Sequence, residues 1–421
     1  MEPLYKKTTL PDGVRIITET IPTVRSVSIG FWVDTGSRDE PVGLEGASHF
    51  IEHMVFKGTA TRSPYDIVSH IESVGGILNA FTTRENTCFL AKVIDLHLPR
   101  AVDVLTDLVF NARFDEADIA KEKKIVIDEI NEVKDTPSDL VHDIFAESIF
   151  GKHALGKPIL GTAKSVKAFS RDSILEFRDN NYRRDRMLVA ASGNLNHNEL
   201  VEMVAKALPS AKNGAPPVKP RTTPEVFPGL YVKAQKTTQA HICIGAPAVQ
   251  FDHPLRGAAM LLNAIIGGSM SSKLFQRIRE DLGMAYTVFS YLDFFIDASI
   301  IGVYLSTDKK YTGPVILNVF GELEKIAQNG LTIEDLESAK EQLKGSLVIG
   351  LENTSHRMNR IAKHELLVNR YISVDESIAE IDKVTGEEVK GLAEDIFKPD
   401  NYTITVLGPI TKTEIKKSIN P

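Results

Sequence analysis

His49 and His53 stand four residues apart in the run Ala47-Ser48-His49-Phe50-Ile51-Glu52-His53-Met54-Val55-Phe56-Lys57-Gly58. In a helix that spacing puts both imidazoles on one face, where they can share a metal ion. At about 100° per residue Glu52 falls on the same side, so its carboxylate can reach a water on that ion without being a ligand. Imidazole and carboxylate suit zinc, which lowers the pKa of its water to around 7 and makes a nucleophile available at neutral pH. The order His-x-x-Glu-His is the inverzincin order, the reverse of the commoner His-Glu-x-x-His.

Two histidines leave a tetrahedral site one protein ligand short. The run Ile125-Val126-Ile127-Asp128-Glu129-Ile130 reads as helix, and Glu129 is the candidate third ligand, because a carboxylate pointing inward from an apolar stretch needs a partner. Glu122, seven residues earlier on the same face, is a candidate to support the ligands from behind. On the pentad alone, a metal site and a chance pair of packed histidines both remain open.

These residues must be held by elements that the pattern also marks. Strands are expected at Gly13 to Thr18 and Val27 to Val33, then helices at about Gly43 to Lys57, closed by Gly58 in an αL cap, and at Pro64 to Val74. Two strands joined by Arg84-Glu85-Asn86 follow, then helices at Leu98 to Asn111 and Asp115 to Lys134. Alternation such as Val27-Ser28-Ile29-Gly30-Phe31 predicts strands with one buried face that helices cover.

The chain also repeats itself. Ser28-Ile29-Gly30 has a counterpart in Cys243-Ile244-Gly245, and the run ending at Gly193 has one ending at Gly408. Both pairs are 215 residues apart (245 − 30 and 408 − 193), which argues for duplication. Between the halves, Pro209, Pro216, Pro217, Pro220, Pro224 and Pro228 crowd into one connector. The expected division is therefore 1–208, a linker 209–228, and 229–421. At the offset of 215, His49, Glu52 and His53 fall on Ala264, Gly267 and Gly268, so the second half is expected to carry no metal.

Composition narrows the function classes. At 421 residues the chain suits two domains. Its 49 basic and 56 acidic residues give a net charge of −7, which argues against nucleic acid as a partner. Cys88 and Cys243 sit in apolar runs and read as reduced core residues. No apolar run reaches the ~20 residues that a bilayer span needs, and the first residues lack a signal-peptide stretch, so the expectation is a cytoplasmic protein without membrane partners.

With these residues in view, the sequence resembles the M16, or pitrilysin-type, metallopeptidases, in which His-x-x-Glu-His is followed some 75 residues on by a glutamate ligand. Here the interval is 76 (129 − 53), and the resemblance puts Glu129 in that role and Glu122 in that of the supporting glutamate. It extends over almost the whole chain, from Leu10-Pro11-Asp12-Gly13-Val14 onward. It implies an α+β fold of two homologous α/β-sandwich halves of metallohydrolase type, each a mostly antiparallel sheet covered by helices. The resemblance further implies one zinc ion per chain, peptide substrates, and Glu52 as base. Asn79-Ala80-Phe81-Thr82 resembles the family's edge strand, where an extended substrate binds by β-addition. Arg279 and Tyr286, in the run Leu274 to Tyr286, match the pair that contacts substrate and helps stabilise the tetrahedral intermediate. Because one chain carries both parts, the resemblance implies a homodimer enclosing the peptide, with sites shared between chains.

The alternative from another class is a non-catalytic assembly or scaffold subunit on the same fold. Such relatives usually lose the base or a ligand, whereas this chain keeps all four groups. Two decoys fall away. Gly151 to Pro158 approaches a P-loop, but Pro158 stands where a Ser or Thr should bind magnesium. His364-Glu365 begins a zincin-like pair, but Val368 occupies the position of its second histidine.

Overall fold

The computed structural model describes residues 4–209 and 220–419, so Pro216 and Pro217 of the connector lie outside the described residues. In the first sheet, β1 (Leu4–Thr9), β2 (Arg15–Thr20), β3 (Ser26–Val33), β4 (Ile77–Thr82), β5 (Thr87–Ile94) and β6 (Met187–Gly193) lie in the order β1-β2-β6-β3-β5-β4. The second sheet holds β7 (Gly229–Ala234), β8 (Ala240–Pro247), β9 (Ala285–Phe294), β10 (Ser299–Thr307) and β11 (Thr403–Gly408), in the order β7-β11-β8-β10-β9. Neighbours run antiparallel except β2 with β6 and β7 with β11. This is the α+β class that the sequence implied.

Without β1 the two orders are the same, with β2 matching β7, β6 matching β11, and β3 matching β8. The single offset of 215 does not survive in detail. Ser192 corresponds to Leu407 at 215, yet Ser192 pairs with Ser28 and Leu407 with His241, so β3 matches β8 at 213 (241 − 28). Gly30 therefore corresponds to Cys243 rather than Gly245. Each glycine answers a separate crowding: a Cβ at Gly30 would stand 2.9 Å from Trp32 Nε1, and one at Gly245 would stand 2.6 Å from Phe145 Cζ. Carried beyond the strands, the offset of 213 takes His49, Glu52 and His53 to Leu262, Ile265 and Ile266, all buried in the second core.

Each compact unit is discontinuous in sequence. The first takes Gly350–Tyr371 from the second half, and the second takes Glu132–Gly156 from the first. This exchange changes the burial expected of the strands. The alternation in β3 suggested one exposed face, but from Val27 to Val33 every residue is buried. The helix Thr354–Val368 covers the small and polar face: Ser28 Oγ lies 2.8 Å from Thr354 Oγ1, and Met358, Ile361 and Ala362 pack with Trp32, Ile17 and Leu188. The other face buries Val27, Ile29, Phe31 and Val189 under the helices of the first half. A serine and a glycine on a strand thus make room for a helix rather than marking solvent.

The decoys have structural roles. His364 is buried, and Glu365 beside it accepts from Lys7 Nζ at 2.7 Å and Arg15 Nη1 at 3.0 Å. The P-loop-like segment follows a helix, Pro137–Phe150, not a strand. Cys88 and Cys243 are free and buried. No described helix is long and apolar enough to cross a membrane.

Candidate metal centre

The pentad lies on α1 (Ala47–Val55). The helix starts later than expected because Gly43 and Gly46 both take φ of 93°, a left-handed backbone that keeps 43–46 outside it. Its end differs too. Phe56 is the C-cap in a right-handed conformation, and Gly58, at φ 116°, bends the chain beyond it rather than forming the αL cap.

Gly46 brings no side chain to cap the helix. The cap comes from Glu40, whose two carboxylate oxygens accept from the N–H groups of Gly46 and Ser48, each at 2.7 Å. Hydrogen bonds of this kind contribute about 0.5–1.5 kcal/mol each, and burial pushes the Glu40 carboxyl up to about 8 against the pull of these N–H donors. Sequence reasoning missed Glu40. The available signal was a helix opening on glycine with no Ser, Thr, Asp or Asn at its cap.

Facing α1 is α4 (Glu116–Asp135).

 Between the two in sequence come α2 (Pro64–Glu72) and α3 (Leu98–Asn111), and α5 (Pro137–Phe150) follows. From α4, Glu129 Oε2 lies 3.7 Å from His49 Nε2 and 3.6 Å from His53 Nε2. The two imidazole rings are 4.5 Å apart, centre to centre. Separations of 3.6–3.7 Å are too long for hydrogen bonds. They are close to the roughly 3.3 Å that separates two tetrahedral ligands, each about 2 Å from a shared zinc ion. Among the described residues, these three are the group of His, Cys, Asp and Glu side chains whose ligand atoms lie within 4.8 Å of one another. The donor set of two imidazoles and one carboxylate fits a zinc ion.

Glu122 lies beside the candidate ligand His53. Its Oε1 is 2.9 Å from His53 Nδ1, which leaves Nε2 to face Glu129, and its Oε2 accepts from Lys57 Nζ at 2.8 Å. One expectation about α4 needs correcting. The most deeply buried carboxylate side chain of α4 is Glu122, 3% exposed; the Glu129 side chain is 38% exposed and nearby Ile125 is exposed, yet Glu129 Oε2, the atom facing the histidines, is itself buried. The stretch around Glu129 is half solvent-facing: of that run only Val126 and Ile130 are fully buried, while Ile127 packs partly against the core.

The electrostatics keep the imidazoles distinct. Burial, helped by the adjacent His53, pushes His49 down to about 3, so it is neutral and able to donate a lone pair at any ordinary pH. For His53 burial also disfavours the charge, but the Glu122 hydrogen bond and the carboxylate of Glu129 outweigh it, and its pKa is raised. Burial raises Glu52, against the pull of Thr82. That opposing bond is short: Thr82 Oγ1 donates to Glu52 Oε2 at 2.5 Å.

Thr82 ends β4, which pairs with β5 alone and so forms an edge of its sheet. Asn79, Ala80 and Phe81 lie on the same strand, opposite Leu90, Phe89 and Cys88, and Phe81 packs edge-on against Trp32 at 5.3 Å. The structure therefore ties the expected peptide-binding strand directly to the expected base, a link that the sequence did not reveal.

Arg279 and Tyr286 belong to the second unit. Arg279 lies on a π-helical segment, Phe275–Asp281, and its guanidinium sits 4.7 Å from the Phe275 ring centre and 4.4 Å from that of Tyr286. A π-helix is rare and often marks a functional site. Tyr286 lies on β9, an edge strand of the second sheet, and is 74% exposed. The structure thus brings this pair together within its own unit.

Residues 15–163 match the family model described as insulinase (peptidase family M16), and residues 168–343 match the M16 inactive domain. An uncharacterized zinc protease of Streptomyces coelicolor is 41% identical, covering 96% of this chain and 90% of its own length. The fold is similar to the crystal structure of a protease from Helicobacter pylori, with a TM-score of 0.91 and 18% identity over 97% of this chain and all of the other. It is also similar to a chain of complex III2 from Candida albicans, with a TM-score of 0.85 and 23% identity over 98% and 99%. On the strength of both family models and of close identity across nearly its whole length, the chain belongs to peptidase family M16.

Proposed function

We propose that the chain is a zinc-dependent endopeptidase acting on extended or unfolded peptides. The observation that carries this reading is the approach of His49 Nε2 and His53 Nε2 to one oxygen of Glu129, with Glu52 on the same helix and bonded to the edge strand. Zinc, when bound, supplies a Lewis acid that polarises the scissile carbonyl and acidifies water.

The chain's own residues do the rest. Unpaired backbone groups on the edge of β4 bind the peptide main chain as an added strand. Glu52 takes a proton from the attacking water, whose oxygen joins the carbonyl carbon, and passes the proton to the amide nitrogen as the C–N bond breaks. The burial that raises its pKa suits a group that must first accept a proton and then donate it. Thr82 holds one carboxylate oxygen in place. Arg279 and Tyr286 of a second copy, in a homodimer, stabilise the negative charge on the carbonyl oxygen.

The test is a Glu52→Gln protein. It removes the base but no ligand, so zinc content stays and peptide hydrolysis falls by at least ~10²-fold. A scaffold subunit would show no hydrolysis before or after the change, and substantial activity in the variant would contradict the role given to Glu52. The shared site is tested by mixing His49→Ala and Tyr286→Phe proteins. Random exchange restores activity towards about a quarter of wild-type sites. Verified exchange without recovery would mean that each site is complete within one chain.

A further inference from the structure

The duplicated sheets differ at one edge. In the first, β1 covers the outer side of β2 along six residue pairs, from Leu4 opposite Thr20 to Thr9 opposite Arg15. In the second, β7 corresponds to β2, since Ile16 pairs with Val189 and Leu230 with Ile404, 215 residues on. No described strand lies outside β7. Among the described residues that fall where a counterpart of β1 would lie, Pro220, Arg221 and Thr222 do not form one. Arg221 Nη2 is 2.8 Å from Asp39 Oδ2, the carbonyl oxygen of Thr222 is 2.9 Å from His153 Nε2, and Pro220 has no N–H to give.

The direction of the free groups can be worked out. Gly229 and Gln235 donate their N–H groups to the carbonyls of Tyr402 and Gly408, at 2.8 and 2.9 Å. Alternate residues of a strand point the same way, so the N–H and C=O groups of Leu230, Val232 and Ala234 face away from β11. At the start of β7 a cavity of about 660 Å³ opens beside Leu230, walled by Phe320, Phe397 and Tyr402. Phe320 and Tyr402 lie 4.7 Å apart, ring centre to ring centre. The exposed carboxylates of Glu324, Glu394 and Asp400 stand on its rim, with Lys398 as the one lining cation.

We propose that β7 and this cavity form a second peptide-binding site, which takes an extended segment with one large apolar side chain and neighbouring lysines or arginines. The segment adds antiparallel to β7, as β1 does to β2. In the first sheet the residue opposite Ile16 is Thr8, whose Oγ1 reaches His197 Nε2 at 2.8 Å on the helical face. The residue opposite Leu230 therefore carries its side chain toward the same face of the second sheet, where the cavity lies. The acidic rim favours basic flanking residues. This inference does not rest on the peptidase reading, since it needs neither metal nor base.

The probe is a fluorescein-labelled heptapeptide of alternating threonine and lysine with one central phenylalanine. It is titrated into Glu52→Gln protein so that it cannot be cut. Saturable binding is expected, with hydrogen-exchange protection of the Leu230, Val232 and Ala234 amides. Adding Val232→Pro deletes one outward N–H without touching the ladder to β11, and weakens binding about tenfold. Val232→Thr leaves it unchanged. The surface pair Glu324→Lys with Glu394→Lys also weakens binding and does not depend on how the proline is tolerated. Equal binding by all variants, no saturable binding, or protection confined to β4 would overturn the proposal. So would concentration-dependent protection of β7 without peptide, which would make a second copy the occupant.

Discussion

The two halves each place a helix against a sheet of the same strand order, yet only one of those helices carries the candidate metal-binding residues. On α1 stand His49, Glu52 and His53, and the strand offset of 213 carries these positions to Leu262, Ile265 and Ile266 of the helix Arg256–Gly267. The polar helix is the shorter, nine residues against twelve, and it draws its N-terminal cap from Glu40. The apolar helix buries nearly all of its residues. A buried polar cluster costs stability unless each group is satisfied, and only the first half supplies the partners, Glu122, Lys57, Glu129 and Thr82. The two sheets share one strand order while their helices differ in this way, so the polar cluster is not what sets that order.

The most severe way to break this comparison is to make the first half resemble the second. A His49→Leu, Glu52→Ile, His53→Ile protein is expected to keep its fold, by circular dichroism, while zinc binding and hydrolysis disappear. Unfolding would show that the polar cluster is part of the core. Next in size is Glu122→Gln, which weakens the hold on His53 and Lys57. Zinc affinity falls by about 10–100-fold while hydrolysis at saturating zinc is largely kept, as measured by competition with a chelating dye.

A pH series sharpens the distinction between the two histidines. His53 has a raised pKa, so protons compete with metal for it at a higher pH than for an ordinary histidine, whereas His49 stays neutral. Zinc affinity should fall by about tenfold per unit as pH drops below the His53 value, the slope for one displaced proton. A slope of two protons would show that His49 titrates as well. The smallest effect belongs to Thr82→Val. Losing that donor raises the Glu52 pKa further, so the acid limb of hydrolysis moves to higher pH and the rate near neutrality falls only a few-fold.

What could be read from the sequence follows from how local each signal is. The pentad, the alternating strands and the connector are contiguous patterns, and they led to the two-part α+β fold. β1 went unnoticed because Leu-Tyr-Lys-Lys-Thr-Thr is a largely exposed edge strand with little apolar alternation. The exchange of helices between halves was hidden for another reason. Periodicity marks an apolar face but not which sheet will cover it, so Ser28 and Gly30 read as solvent-facing. For Glu129, the inward-pointing argument holds for Oε2, which is buried, but not for the whole side chain, and Glu122 is the more deeply buried of the two. Glu40 left only a negative trace, an uncapped helix start.

The central claim, that His49, His53 and Glu129 together hold one metal ion, is tested most directly by titrating zinc into metal-free protein in a calorimeter. Wild type is expected to bind one zinc per chain, and the His49→Ala, His53→Ala protein none at that site. One zinc per chain retained by the doubly changed protein would contradict the account.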